Sequence, residues 1–301
     1  MKLCFIGPGT MGRGMAMNLA RKRTTEEDWL IVARREEARR PFAEEGLEVS
    51  GNTADAAGCD VIFLCLPDAR IVRESIAGAA ARLWKRGSVI VDCSTIDHRE
   101  AAGLAEEFSA EGITYLDCPV SGHRERSLAG TLTLMCGGEK AAYDRVEPLL
   151  QRMGTPLYMG TSGSGQLAKM INNCALNICT ASFCELMPLG VSMGLDPEQL
   201  AQVLMSGSGA SNASKTLLPE ILEGRFEHGF TMGAAFKDMQ SMAQLLEEKK
   251  LRLPTFEGTM ESYLRALREG YGQLYKGAMM LPYEEQLQVR CRRAKADTSE
   301  G

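Results

Sequence analysis

Lys169 and Asn173 stand four residues apart inside the segment GSGQLAKMINN, Gly163–Asn173. On a helix that spacing puts both on one face, one turn from each other, with Gly165 preceding them on the same side. A lysine and an amide on the inward face of an otherwise apolar helix are costly to bury unless they bind something. Partial desolvation also lowers a lysine pKa, which suits proton donation near neutral pH. Taken alone, the same residues fit a snorkelling lysine beside a capping asparagine equally well.

The second chemical signal is GPGTMG, Gly7–Gly12, directly after the apolar run KLCFI. In a dinucleotide fold Gly7 allows the tight turn, Gly9 lets a pyrophosphate approach the backbone, and Gly12 lets the following helix pack on the sheet. Thr10 and Met11 then sit where free helix N–H groups hold phosphate. The next strand, Trp29–Ala33, ends in Arg34-Arg35 with no carboxylate to take the ribose hydroxyls. Arg34 therefore reads as the acceptor of a 2′-phosphate, and the cofactor as NADP, with NAD the alternative. Glu36 and Glu37 come later and suit the first turn of a helix. Two further strand ends, LCLPD (Leu64–Asp68) and DCSTI (Asp92–Ile96), belong to the same crevice, so Leu66, Pro67 and Thr95 would line the nucleotide. By themselves both are ordinary strand-to-helix turns.

The elements that must position these residues follow from periodicity. Short apolar runs at KLCFI, Trp29–Ala33, Val61–Leu66, Ser88–Asp92 and Thr114–Leu116 alternate with charged, alanine-rich stretches such as Glu36–Glu45 and His98–Ala110. That alternation predicts βαβ units and a mostly parallel sheet. After the small-residue hinge Thr161–Gly165 strand signals largely stop, and Ala168–Leu287 favours helices. The division expected is a nucleotide-binding domain over 1–162, a helical substrate and oligomerisation domain over 163–290, and a frayed polar tail over 291–301.

Composition bounds the function. The 301 residues are 45% hydrophobic and 24% charged, enough for two ordinary cores. The net charge of −5 gives no global attraction to nucleic acid. The ten cysteines are diluted through apolar runs, no CxxC occurs, and Cys174, Cys179 and Cys184 at spacing five spread around a helix, so no metal site is expected. The longest apolar region, 166–195, carries Lys169, Glu185 and several asparagines, which makes a poor membrane span. No signal peptide is evident. A cytoplasmic location is the default.

GPGTMGRGMAMNL, DCPVSG followed by GTL, GSGQLAKMINN and FKDM occur in order, and together they resemble the β-hydroxyacid dehydrogenases from residue 1 to about 285. The resemblance implies an α/β Rossmann-type N-terminal domain and an all-α C-terminal domain joined by a long helix. It implies Lys169 as general acid/base, Ser121, Gly122 and Asn173 as substrate binders, and Thr95 and Lys237 in the cofactor cleft. It further implies interconversion of a small 3-hydroxy acid and its semialdehyde, or reduction of a short oxoacid, by a homo-oligomer, dimer or tetramer. Relatives usually continue DxPVSG with a second glycine and another three positions on, where this chain has His123 and Arg126. If His123-Arg124-Glu125-Arg126 faces the substrate it would bind a second anionic group or narrow the site; otherwise its charges pair at the surface. The polar residues that relatives often show near a Gly-Gly-Asp segment are also missing from Glu269–Ala278. Two other readings remain: a non-catalytic dinucleotide-binding module for partner recognition, and a reductase of imines or bulkier carbonyls.

Overall fold

The computed structural model describes residues 1–76 and 84–293. Strands and helices alternate along the first part of the chain: β1 (Lys2–Ile6), α1 (Gly12–Arg21), β2 (Asp28–Val32), α2 (Glu36–Glu44), β3 (Glu48–Ser50), β4 (Val61–Leu64), α3 (Ala69–Ile76), β5 (Val89–Asp92), α4 (His98–Ala110) and β6 (Thr114–Asp117). The six strands are parallel in the order β3-β2-β1-β4-β5-β6. That order reverses direction between β1 and β4, and ligands of doubly wound sheets bind at such a reversal, beyond the carboxyl ends of the strands.

The strands read as continuous apolar runs because both faces of the sheet are covered. Leu3 and Phe5 point to one face, where Phe5 stacks on Phe63 at 6.3 Å and Phe63 on Trp29 at 6.1 Å, beneath Met15 and Leu19 of α1. Cys4 and Ile6 point to the other, packed with Ile62, Ile90, Leu104 and Phe108. The chain leaves β4 at Leu64, two residues before the run ends, because the Leu66 N–H turns to the Ser94 hydroxyl instead of a neighbouring strand.

Three further strands lie outside the apolar runs picked out in the sequence. After β7 (Val120–Ser121) and α5 (His123–Ala129), β8 (Leu132–Gly137) pairs antiparallel with β6 and β7; after α6 (Lys140–Leu150), β9 (Gly154–Gly160) pairs parallel with β8. β9 alternates between half-buried and exposed residues and contains Pro156, so its pattern is that of a sheet edge.

The chain divides into two compact units, Met1–Lys169 and Met170–Gly301, and the division falls inside α7 (Ser164–Ser192). By length and composition α7 could cross a membrane, but its Cys184 and Met187 are core residues of the second unit. That unit is built from α8 (Pro197–Ser206), α9 (Asn212–Leu222), α10 (Met232–Glu248), α11 (Pro254–Arg268) and α12 (Leu281–Leu287), around Leu217, Met239, Tyr263 and Met279. Fraying from Arg290 does not hold as far as Arg293. Cys291 is fully buried with its N–H on Glu284, Arg292 grips the same carboxylate at 2.7 and 3.0 Å, and the Arg293 N–H bonds Leu222 O. A half-buried charge pair with two parallel bonds outweighs the disorder that polar composition suggests. The remainder of that tail, 294–301, lies outside the described residues.

Phe63 bridges two aromatic stacks, so Phe63→Ala should lower unfolding stability by about 3–5 kcal/mol. A urea melt checks this, and a loss under about 1 kcal/mol would mean the site collapses around the cavity.

Candidate active site

The glycines of the first turn separate into two kinds. Gly7 has φ of +89°, and a Cβ there would lie 2.4 Å from the Cys65 carbonyl oxygen; at Gly12 a Cβ would lie 2.2 Å from the Gly7 oxygen. Both are demanded by the protein's own packing. A Cβ at Gly9 would meet nothing within 4 Å. The open space there suits a group that must come close to the backbone. α1 begins at Met11 with no capping side chain and no acidic residue in its first turn, which leaves the positive end of the helix for an anion. This end is fixed from outside the motif. Ser127 donates to Met11 O at 2.7 Å, and the Asn18 amide donates to Gly14 O and Ser127 O at 2.9 and 3.0 Å.

At the end of β2, Arg34 and Arg35 are exposed. Arg39, which the strand-end reading overlooked, donates from its guanidinium to Ala33 O at 2.7 Å and so holds a third positive charge against the same turn.

The other strand ends are tied together by buried polar groups. Asp92 is fully buried, accepting the Ser94 N–H at 2.8 Å and the Tyr115 hydroxyl at 2.6 Å; burial raises its pKa. Ser94 in turn accepts the Leu66 N–H at 2.8 Å. Gln166 donates to Ser94 O at 2.8 Å and accepts from Ile96 N at 3.2 Å, so its amide brackets Thr95. Asp117, at the end of β6, accepts the N–H groups of Gly163 and Gln166 at 2.8 and 2.9 Å. Its pKa is pushed up to about 6, chiefly by burial and against the lowering effect of these donors. A Cβ on Gly165 would lie 2.3 Å from Met135 O, so the start of α7 sits directly on the sheet. The first unit thus gathers Gly7–Gly12, Leu66, Pro67 and Thr95 at the carboxyl ends of β1, β4 and β5, and Lys169, half-buried, follows on the pinned helix.

Ser121 ends β7 and Gly122 adopts φ of +145°. The segment expected as a loop is instead the first turn of α5, reached through His123 in the left-handed region at φ +56°. Glycine takes this conformation most readily, and histidine is among the residues that tolerate it. Residues 123–126 are exposed, and Arg126 donates to Thr131 O instead of pairing with Glu125.

In the second unit, Asn173 donates to the Asp238 carboxylate at 2.9 Å. Asp238 follows Lys237, which is exposed on α10, so Asn173 lies beside the FKDM segment. One turn further on, Asn177 accepts from the buried Lys276 at 3.4 Å. Asp117, Gln166 and Asp238 escaped the sequence reading because their types and spacing are those of ordinary caps and helix surfaces. The contacts alone identify them.

Residues 2–163 match the NAD binding domain of 6-phosphogluconate dehydrogenase, and residues 163–283 match a domain described as the NAD-binding of NADP-dependent 3-hydroxyisobutyrate dehydrogenase. The chain belongs to the β-hydroxyacid dehydrogenase family. It is an NAD(P)-dependent oxidoreductase acting on CH–OH groups. Among the relatives of this β-hydroxyacid dehydrogenase, 2-(hydroxymethyl)glutarate dehydrogenase of Eubacterium barkeri is 31% identical over 289 residues, 95% of either chain. The 2-hydroxy-3-oxopropionate reductase of Escherichia coli is 30% identical over 292 residues, 94% of this chain and 97% of its own. A solved structure titled as Psf3 with NADP+ and 2-OPP has a TM-score of 0.79 at 27% identity, covering 93% of this chain and 98% of that one.

Asp117 titrates higher in the fold than in the unfolded chain, so its protonated form stabilises the fold at low pH, and that contribution is lost as pH rises through about 6. Wild type should lose about 2 kcal/mol relative to Asp117→Asn between pH 4 and pH 7. The asparagine should nonetheless be less stable at pH 4, since its NH₂ faces a backbone donor. Parallel stability curves from denaturant melts across that range would refute the assignment.

Proposed function

We propose that this β-hydroxyacid dehydrogenase prefers NADP(H) and interconverts a small 3-hydroxy acid and its semialdehyde, or reduces a related short oxoacid, with Lys169 as general acid/base. The observation that carries the reading is the polar face of α7. Lys169 and Asn173 share it one turn apart, and Asp238 orients the Asn173 amide. A carboxylate accepts only, so the Asn173 NH₂ must face Asp238. The second N–H of the amide is then set to orient a substrate oxygen, while the Lys169 ammonium donates a proton to it. A bound nicotinamide supplies the hydride. Ser121, Gly122 and His123 hold the substrate carboxylate, and the relatives' names, a hydroxymethyl diacid and a short oxoacid, support an anionic substrate.

The open side of Gly9 and the uncapped start of α1 support a dinucleotide held by Gly7, Gly9, Thr10, Met11 and Gly12, with Leu66, Pro67 and Thr95 along it. Arg34 reads the 2′-phosphate, with Arg39 adding to the positive potential at the β2 end. All ten cysteines are free thiols, eight of them buried, which suits a reducing cytoplasm. Leu186 and Leu189 of α7, with Met193 just beyond its end, are exposed, which supports association of copies into a dimer or tetramer.

A screen of NADPH consumption over short aldehydes and oxoacids, carboxylated, phosphorylated and sulfonated, tests the substrate class. Lys169→Ala should retain NADPH binding and lose about 10²–10⁴-fold in kcat; wild-type turnover would remove Lys169 from the chemistry. Arg34→Ala should raise the KM for NADPH about ten-fold or more while leaving that for NADH nearly unchanged, since a hydrogen bond to a charged group contributes about 1.5–3 kcal/mol. Equal effects on the two cofactors would reject the assignment.

A further inference from the structure

We propose that Gln166 is a positioning residue that locks the cofactor-facing turn at Thr95 to the helix carrying Lys169. The inference rests on the oxidoreductase reading above. Gln166 is 2% exposed, and its amide is satisfied on both sides of one residue: Nε2 donates to Ser94 O at 2.8 Å and Oε1 accepts from Ile96 N at 3.2 Å. The side chain thereby pairs with the turn as the peptide of a parallel neighbouring strand would. Its own backbone N–H donates to Asp117 at 2.9 Å, anchoring the first turn of α7 to the end of β6.

Two groups with different tasks therefore hang on one residue. Thr95 lies between the two backbone groups that Gln166 holds, and Lys169 follows Gln166 by three residues, less than one helical turn. Ser94 is in addition the acceptor for Leu66 N and is itself held by Asp92, so both cofactor-lining turns meet at this amide. Breaking the pairing would strand a buried carbonyl and a half-buried N–H, so a shift of the turn relative to the start of the helix carries a penalty.

The chemistry of the pairing dictates glutamine. Ser94 O needs a donor and Ile96 N–H needs an acceptor, and an amide presents one of each side by side. A glutamate of the same shape supplies the donor only when protonated, and burial at this position raises its pKa. Gln166→Glu should therefore be defective at pH 8 and recover towards pH 6, whereas Gln166→Met, similar in volume and without polar atoms, should be defective throughout.

The test measures kcat and KM with NADPH and 2-hydroxy-3-oxopropionate across pH 6–8, each relative to wild type at the same pH. NADPH fluorescence titration and the NADPH-induced rise in melting temperature are followed alongside. A misplacement of about 1 Å costs up to about 10²-fold in rate. Both variants should lose about 10–100-fold in kcat at pH 8, bind NADPH more weakly and show a smaller NADPH-induced rise, with only the glutamate recovering as pH falls. A purely structural role would lower the melting temperature with kcat and NADPH affinity unchanged, and that result, or a Gln166→Met enzyme within two-fold of wild type, overturns the inference alone. Wild type that binds neither NADPH nor NADH overturns the cofactor-site reading, and the inference with it.

Discussion

A carboxylate buried under the first turn of a helix is the contact on which the candidate site depends. Asp117 accepts two N–H groups at the start of α7 from a fully buried position. Helix N-termini carry unsatisfied donors and partial positive charge, so an acceptor-only side chain stabilises that geometry. The arrangement opposes a desolvation cost large enough to raise the Asp117 pKa to about 6. Two glycines make the approach possible, since a Cβ at Gly137 would lie 2.6 Å from Asp117 Oδ1 and one at Gly165 would lie 2.5 Å from Asp117 O. The sheet end and the first turn of the helix that bears Lys169 are thereby tied together within the first unit.

The rest of the nucleotide-facing surface is organised by the same economy. Each turn beyond β1, β4 and β5 is fixed by a buried polar group from a different element: Ser127 at the start of α1, Ser94 at Leu66, Gln166 at Thr95. Loops placed this way keep their backbone groups satisfied while leaving the side towards the ligand open, as at Gly9. The second unit repeats the device on the continuation of α7, where Asp238 holds Asn173 and Lys276 meets Asn177. There the polar stripe runs along a helix whose other face packs into a methionine-rich core, Met187, Met232, Met239 and Met279. Methionine fills irregular gaps between helices of different inclination, and the same adaptability makes its sequence pattern weak.

Departure from the family pattern has a backbone cost and a local compensation. His123 occupies a left-handed conformation where relatives carry glycine, and the turn it begins closes as a short helix between Gly122 and Gly130, both at positive φ. Arg126 then satisfies Thr131 O, and Ser127 anchors α1. The altered segment thus keeps the contact that the glycine turn needs while placing new charge at the surface.

Much of this was legible in the sequence. A strand buried on both faces must be apolar throughout, so β1, β2, β4 and β5 declare themselves. The glycines of Gly7–Gly12 announce a turn that tolerates no side chain, and the i, i+4 spacing of Lys169 and Asn173 marks a polar face on an apolar helix. The edge strand β9 did not declare itself, because pairing partners and not local pattern decide whether a half-exposed, proline-containing segment extends. The tail to Arg293 looked disordered for a similar reason: the burial of Cys291 and the grip of Arg292 on Glu284 are long-range facts. Nothing in the sequence sets Asp117, Gln166 and Asp238 apart from ordinary caps and helix residues. Only the tertiary structure gives them their roles, since a buried polar group is defined by the donor or acceptor that folding brings to it, and that partner lies 49 residues away for Asp117, 72 for Gln166 and 65 for Asp238.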